Sequence, residues 1–268
     1  MIGMKICNVK IGIHCEPETL SRQIFEQYQV YIEDIEPDYF IKITGITPEH
    51  TNVPGGANLG TIDVVFTQGC YVVSTPIYEG KIDPISHTAY LFLRSKNQIL
   101  DIEFFIKMVV SYGLYELGGF LLHSAGIVRN NKAFLFFGKS GSGKSTVSKL
   151  SVNDIILSDE IVGLTYSGDK AVAHSTPFWN PGWSRRIQFV AEIGGIFRLV
   201  QDTRVFIEPI RPSLAVAEIL ASIPALPTNP DMCIGFIPMI EAMISRVGIH
   251  FLHFRKDNDF WDVIGRAT

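Results

Sequence analysis

Residues 136–147, FFGKSGSGKSTV, limit the fold more than any other stretch of the chain. Gly138, Gly143, Lys144 and Ser145 satisfy the spacing G-x-x-x-x-G-K-[ST]. The apolar run AFLFF stands directly before the motif and reads as a strand. STVSKL follows it and opens a helix. Glycines admit positive φ and let backbone approach a ligand. Successive amide N–H groups then point inward as an anion nest, and the start of a helix adds its partial positive charge. Strand, glycine loop and helix together predict a phosphate-binding loop on Gly138, Lys139, Ser140, Gly141, Ser142, Gly143, Lys144, Ser145 and Thr146.

Within that loop Lys144 is placed to reach β- and γ-phosphates, and Thr146 to touch the α-phosphate region. The Ser145 hydroxyl suits Mg²⁺, which takes oxygen ligands and keeps several waters. The loop is therefore expected to hold the phosphates of a nucleotide, ATP and GTP alike, together with Mg²⁺. Fourteen residues separate Lys144 from Asp159, which DIILSDEIVGL carries with Glu160 at the end of an apolar run. An acid at such a strand end can anchor the metal, and a neighbouring carboxylate can accept a proton from an attacking oxygen. One member of the Asp159/Glu160 pair is thus expected on the metal with Ser145, and the other as base. The short spacing predicts a brief helix and an immediate return to a strand beside the first.

The first hundred residues read as short strands and turns. KICNVKIGIHC alternates as one half-buried strand does, DYFIKITGI, TIDVVFTQGCYVVST and HTAYLFLRS are rich in β-branched and aromatic residues, and PETLSRQIFEQY is a helix. TPEHTNVPGGANLG, at 47–60, is a Pro/Gly/Asn-rich loop. The character changes near residue 101, where Phe104, Phe105, Met108, Val109, Tyr112 and Leu117 recur at helical spacing. Beyond the glycine loop, PSLAVAEILASI (opened by Pro212 or capped by Ser213), IGFIPMIEAMISRV and DNDFWDVI read as helices, and GIHFLHFR as a strand. The predicted organisation is a β-rich N-terminal region at 1–100, suited to holding an acceptor, and a P-loop catalytic domain at 101–268.

Charge and cysteine usage narrow the partners. A net charge of −4, with no long basic run, argues against a nucleic-acid partner held by phosphate contacts. Cys7, Cys15, Cys70 and Cys233 form no CxxC pair and read as free thiols of a reducing compartment. The most apolar stretch, 101–122, includes Asp101, Glu103, Lys107 and Glu116, against a membrane span. The N-terminus shows no signal peptide, and the expected location is cytoplasmic. Nothing in the sequence marks an oligomer interface.

LLHSAGIV, AFLFFGKSGSGKST and IILSDE, in that order and spacing, resemble the catalytic domain of HPr kinase/phosphorylase, which shares its core with the phosphoenolpyruvate carboxykinases. The resemblance runs more loosely through HSTPFWNPG, IGGIFRLVQDTRVFIEPI and FLHFRKDNDFWDVI. It implies an α/β fold: an HPr kinase/PEP carboxykinase-like mixed-sheet core behind the β-rich N-terminal region. It also implies a Mg²⁺·ATP site with Asp159 on the metal, Glu160 activating an acceptor hydroxyl, and His123, in the strand before the P-loop strand, near the reacting phosphate. Glu160 stands where HPr kinases carry a second Asp, and the segment that supports their phosphorylase activity is absent. The chain is closer to shorter relatives found with peptide-modification gene sets. The implied activity is a serine kinase transferring the γ-phosphoryl group of a bound nucleotide to a peptide, protein or small-alcohol acceptor. A nucleotide-binding regulatory module and a simple ATPase are the alternatives.

Three further residues are weaker candidates. Arg185 and Arg186 could stabilise charge on the transferred group, and His174 could face the site. His250 and His253 are three positions apart on a strand, so they point to opposite sides and do not make a metal pair.

Overall fold

The structure, a computed structural model, describes residues 1–45, 63–76, 78–94, 99–180, 187–224 and 230–267. The chain packs as two compact units, Met1–Gly113 with Pro227–Cys233, and Leu114–Leu226 with Ile234–Thr268.

The first unit holds β1 (Ile2–Ile6), β2 (Val9–Glu16), α1 (Glu18–Tyr28), β3 (Tyr39–Gly45), β4 (Asp63–Thr67), β5 (Cys70–Ser74), β6 (Tyr78–Asp83), β7 (Thr88–Leu93) and most of α2 (Ile99–Glu116). Its seven strands form one sheet in the order β1-β2-β3-β7-β6-β5-β4. The pairs β2–β3 and β3–β7 are parallel and the others antiparallel. KICNVKIGIHC is not one strand: it folds back as the β1–β2 hairpin. Cys7 and Asn8 both take positive φ, 52° and 70°, so the two-residue turn needs no glycine and gave no turn signal. The 47–60 loop lies outside the described residues.

Alternation then fixes the faces. Ile41, Ile43, Ala89, Leu91, Leu93 and Ile82 are buried on one side, while Phe40, Lys42, Tyr90, Phe92 and Lys81 are exposed on the other. α2 seals the buried side. A Cβ on Gly80 would lie 2.4 Å from the Phe105 ring, so the absence of a side chain there lets the helix settle on the sheet.

The second unit continues with β8 (Phe120–Arg129), β9 (Lys132–Phe137), α3 (Lys144–Leu150), β10 (Ile155–Ser158), β11 (Ile161–Ser167), β12 (Lys170–His174), β13 (Val190–Gln201), β14 (Phe206–Pro209), α4 (Pro212–Leu220), most of α5 (Pro230–Val247), β15 (Ile249–Phe254) and α6 (Asp259–Ala267). Proline, not Ser213, opens α4: Arg211 is the cap residue and makes no side-chain cap. The strand pairings close on themselves, β8–β9–β13–β12–β11 and back to β8, with β10 on β8 and β15–β14 carried outward from β13. Strands β9, β13 and β15 run parallel, so their C-terminal ends share one edge.

Phe134, Phe136, Phe197, Leu199, Leu252 and Phe254 from those three strands pack with Val147 of α3 and Phe260, Trp261 and Ile264 of α6 in one apolar cluster. Phe136 meets Phe260 and Trp261 edge-on, at centroid distances of 5.9 and 5.7 Å. The aromatics of the closing helix thus build the core under the glycine loop. Among the described residues no helix is long and apolar enough to cross a membrane, and the four cysteines are free thiols.

Candidate functional site

The glycine loop leaves β9 at Phe137 and enters α3 at Lys144, at the edge where the parallel strands end. In parallel α/β sheets, open or closed, ligands bind beyond the carboxyl ends of the strands, where loops converge and helices begin. Gly143 is the N-cap of α3 in left-handed conformation, with φ 111°. Ser142 N–H donates to the Lys139 carbonyl (3.0 Å) and Val147 N–H to the Gly143 carbonyl (2.9 Å), which tightens the turn into the helix. Gln201, the last residue of β13, donates from Nε2 to the Gly141 carbonyl at 2.6 Å and so ties the tip of the loop to the neighbouring strand.

Lys144 is buried to 9% of its exposure and folds back over its own loop, donating to the carbonyls of Gly138 (2.8 Å) and Lys139 (3.4 Å). Burial pushes its ammonium below the usual lysine value, and the negative charge of Glu160 pulls it back up. Ser145 is exposed at the first turn of α3, its hydroxyl open to a ligand, and Thr146 is half-buried beside it. The Ser142 hydroxyl is buried inside the loop with no hydrogen-bond partner among the described residues. An orphaned donor within an anion nest fits a phosphate oxygen.

The acidic pair sits where β10 passes into β11 along one edge of β8. Ser158 lies opposite Gly126 and Ile161 opposite His123, and a bulge between Ile156 and Ser158 shifts the register just before the two acids. The Ser158 hydroxyl donates to the Phe178 carbonyl (3.0 Å) and accepts from the amides of Glu160 and Ile161 (3.1 and 3.0 Å). Asp159 is 1% exposed. Asn180 holds it from both sides of its carboxylate: the Asn180 amide donates to Oδ1 at 3.1 Å and its Nδ2 to Oδ2 at 2.9 Å. The segment that delivers Asn180 is itself pinned, Thr176 Oγ1 donating to the Ile161 carbonyl and Trp179 Nε1 to the Thr176 carbonyl (2.5 and 2.6 Å).

His123 is exposed on β8, on the face of Ala125 and Ile127 that packs under α3, one residue before Ser124, which lies opposite Phe137. Its amide donates to the Ser222 carbonyl at 2.8 Å. The fold therefore gathers the start of the loop, the acidic pair and His123 at neighbouring register positions. His174 goes elsewhere. It is buried in the β11–β12 ladder opposite Gly163, its Nε2 2.6 Å from Thr165 Oγ1. Arg185 and Arg186 lie outside the described residues.

Sequence reasoning missed Asn180 and Gln201, and a cluster just past Gln201. His253 lies between Asp202 and Glu208, with Nδ1 3.1 Å from Asp202 Oδ2 and Nε2 2.9 Å from Glu208 Oε2, and stacks on Phe206 at 4.1 Å. Asp202 is held below the usual carboxylate range, first by the Arg204 amide and also by His253. HSTPFWNPG and LVQDTRV show no motif spacing, so nothing local marked these residues.

Among the described residues no three His, Cys, Asp or Glu side chains cluster as a metal site. The exposed Ser145 hydroxyl and the Asp159 carboxylate are oxygen donors of the kind Mg²⁺ takes, an ion held by one or two protein oxygens plus substrate phosphate and water.

No protein-family model matches the sequence, and no curated protein is similar to it. Among solved structures, the chain is similar to the Hpr(Ser) kinase/phosphatase from Coxiella burnetii, at 10% identity over 55% of this chain and 93% of that chain, with a TM-score of 0.27. An overlap of that size bears on neither the site nor its chemistry.

Proposed function

We propose that the chain is an ATP- and Mg²⁺-dependent phosphotransferase that moves a γ-phosphoryl group to a hydroxyl, with serine of a peptide or protein as the acceptor. Residues 101–268 carry the catalysis and residues 1–100 bind the acceptor. The observation that carries the reading is the buried Lys144 folded over its own glycine loop, with an Asp159 clamped by Asn180 at the β10–β11 junction that shares β8 with the strand feeding the loop.

In this reading the amides of 138–144 and the Ser142 hydroxyl cradle the phosphates. Lys144 leaves the Gly138 and Lys139 carbonyls and neutralises the β/γ oxygens. Ser145 and Asp159 would hold Mg²⁺, which would supply further charge neutralisation on the phosphates. Asn180 keeps the Asp159 carboxylate in one orientation. Glu160 takes the proton of the acceptor hydroxyl as its oxygen bonds to the γ-phosphorus and the bond to ADP breaks. His123, exposed at the same end of β8, stabilises the phosphoryl group in flight.

The test is transfer from γ-labelled ATP and Mg²⁺ to the peptides and proteins encoded beside this chain's gene. Label should appear on one acceptor and disappear in Glu160→Gln, while that variant still binds ATP. Tight ATP binding with neither transfer nor hydrolysis would identify a regulatory module. Fast hydrolysis independent of any acceptor would identify an ATPase.

A further inference from the structure

The open face of the first unit's sheet is apolar and basic along one row. Register places Lys42 (β3), Tyr90 (β7), Lys81 (β6), Val72 (β5) and Val65 (β4) side by side across five strands. Tyr90 is 54% exposed and Val65 55%, and Phe92 and Phe40 flank the row at 42% and 47%. Scattered exposed apolar side chains are ordinary; three aromatics grouped on one open sheet face are not. A groove of about 480 Å³ runs over this row, between Lys42 and Ser74.

We propose that this face docks an extended acidic segment of a partner polypeptide. An apolar or aromatic side chain of the segment lies on Tyr90 and Phe92, and its carboxylates meet Lys42 and Lys81. Charge picks this occupant. Arg94 pairs with Glu79 and so occupies the one carboxylate lining the groove. Lys42 and Lys81 make no ion pair among the described residues, although Lys81 extends its field to Asp83 at the end of its strand. The two lysines stand two strand spacings apart, about 10 Å, within reach of carboxylates two or three residues apart on an extended chain.

A polynucleotide fits less well. The next row across the sheet holds Asp63, Glu79 and Glu16, which would repel a continuous phosphate backbone that needs an unbroken basic track. A short acidic segment can place its carboxylates on the basic row and only an apolar side chain over Phe92 in the next.

Anisotropy of fluorescently labelled random Glu–Tyr copolymer, Lys–Tyr copolymer and a twenty-residue oligothymidylate tests the inference without nucleotide, so it stands or falls apart from the phosphoryl-transfer reading. The Glu–Tyr copolymer should bind, weaken as NaCl rises, and lose about tenfold in affinity in Lys42→Glu/Lys81→Glu. Tyr90→Ser should weaken it several-fold. All three positions are exposed, so the variants should keep the wild-type melting curve, and Lys42→Gln/Lys81→Gln serves in place of a double reversal that fails to fold. No binding of the Glu–Tyr copolymer, equal binding of the Lys–Tyr copolymer, tighter binding of oligothymidylate, insensitivity to the substitutions, or self-association that buries the face would each overturn the proposal.

Discussion

Gly141 and Gly143 belong to one motif but answer to different physics, and alanine separates them. At Gly143 the backbone has φ 111°, and a Cβ would lie 2.4 Å from Cζ and 3.1 Å from Cε1 of Phe254. Phe254 is buried, edge-on to Phe260 at 6.2 Å, and has no room to move. Gly143→Ala therefore adds about 1–2 kcal/mol of left-handed strain and about 1–3 kcal/mol of overpacking, together about 2–5 kcal/mol. At Gly141 φ is 78°, and an added Cβ meets nothing within 4 Å. Gly141→Ala then carries the backbone strain alone, offset in part by lost unfolded-state entropy, for a net cost of about 1 kcal/mol. At about 2–4 °C per kcal/mol for a chain of this size, thermal unfolding should place Gly143→Ala well below Gly141→Ala, with Gly141→Ala within a few degrees of wild type. Pairing either variant with Phe254→Leu sharpens the test: the smaller, flexible side chain should relieve Gly143→Ala and leave Gly141→Ala unchanged. Equal losses at the two glycines, or no relief from Phe254→Leu, would refute the packing argument.

The remaining predictions concern the acidic pair, the first unit and the loop. Asn180→Ala removes the Nδ2 bond to a buried carboxylate and should cost about 1.5–3 kcal/mol in urea unfolding; a loss under about 0.5 kcal/mol would mean the clamp is not formed in solution. Asp159→Asn in the same background should then cost little more, because the two side chains share one interaction. Burial pushes the Asp101 carboxyl up to about 6, so the folded chain holds a proton there that the unfolded chain has released. This contribution is full below about pH 4 and lost as pH rises through about 6. Asp101→Asn should flatten that slope and raise stability near neutral pH by about 2–3 kcal/mol; an unchanged pH profile would remove Asp101 as its cause. Gln201→Ala frees the tip of the loop, should cost about 1 kcal/mol, and should speed hydrogen exchange at the loop amides while leaving the rest of β13 protected.

What could be read from the sequence was chemistry held in consecutive residues. Strand, loop, Lys144 and helix are adjacent in the chain, and each of their physical requirements names a residue type. The same holds for the helix near 101–118, where the 3.6-residue repeat of Phe105, Met108, Val109 and Tyr112 is visible without tertiary context. Reading failed where a turn used unexpected residues. Cys7 and Asn8 take two positive φ values that neither declares as glycine would, so one strand became two. It failed again on β11 and β12, whose short ladders hardly alternate because both faces of the closed circuit are buried there.

The acidic pair shows why the second half of a site is harder to read than the first. Asp159 and Glu160 were legible by their place at a strand end, but what makes Asp159 usable lies twenty-one positions on, in Asn180. A carboxylate 1% exposed needs donors to offset its lost hydration, and no residue within two positions of Asp159 offers its carboxylate a bond. The donors arrive because Thr176 and Ser158 bond the 175–180 segment to the β10–β11 edge, at the Ile161 and Phe178 carbonyls. Each of these links joins strand β10 or β11 to a loop that follows β12, so it exists only once β11 and β12 have paired. The clamp is a product of the closed circuit, and Thr176→Val tests that order of cause. It should leave Asn180 in the sequence but slacken its segment, reproducing most of the stability loss of Asn180→Ala and adding little to it in the double variant. Full additivity of the two would show that Asn180 reaches Asp159 without the Thr176 tether.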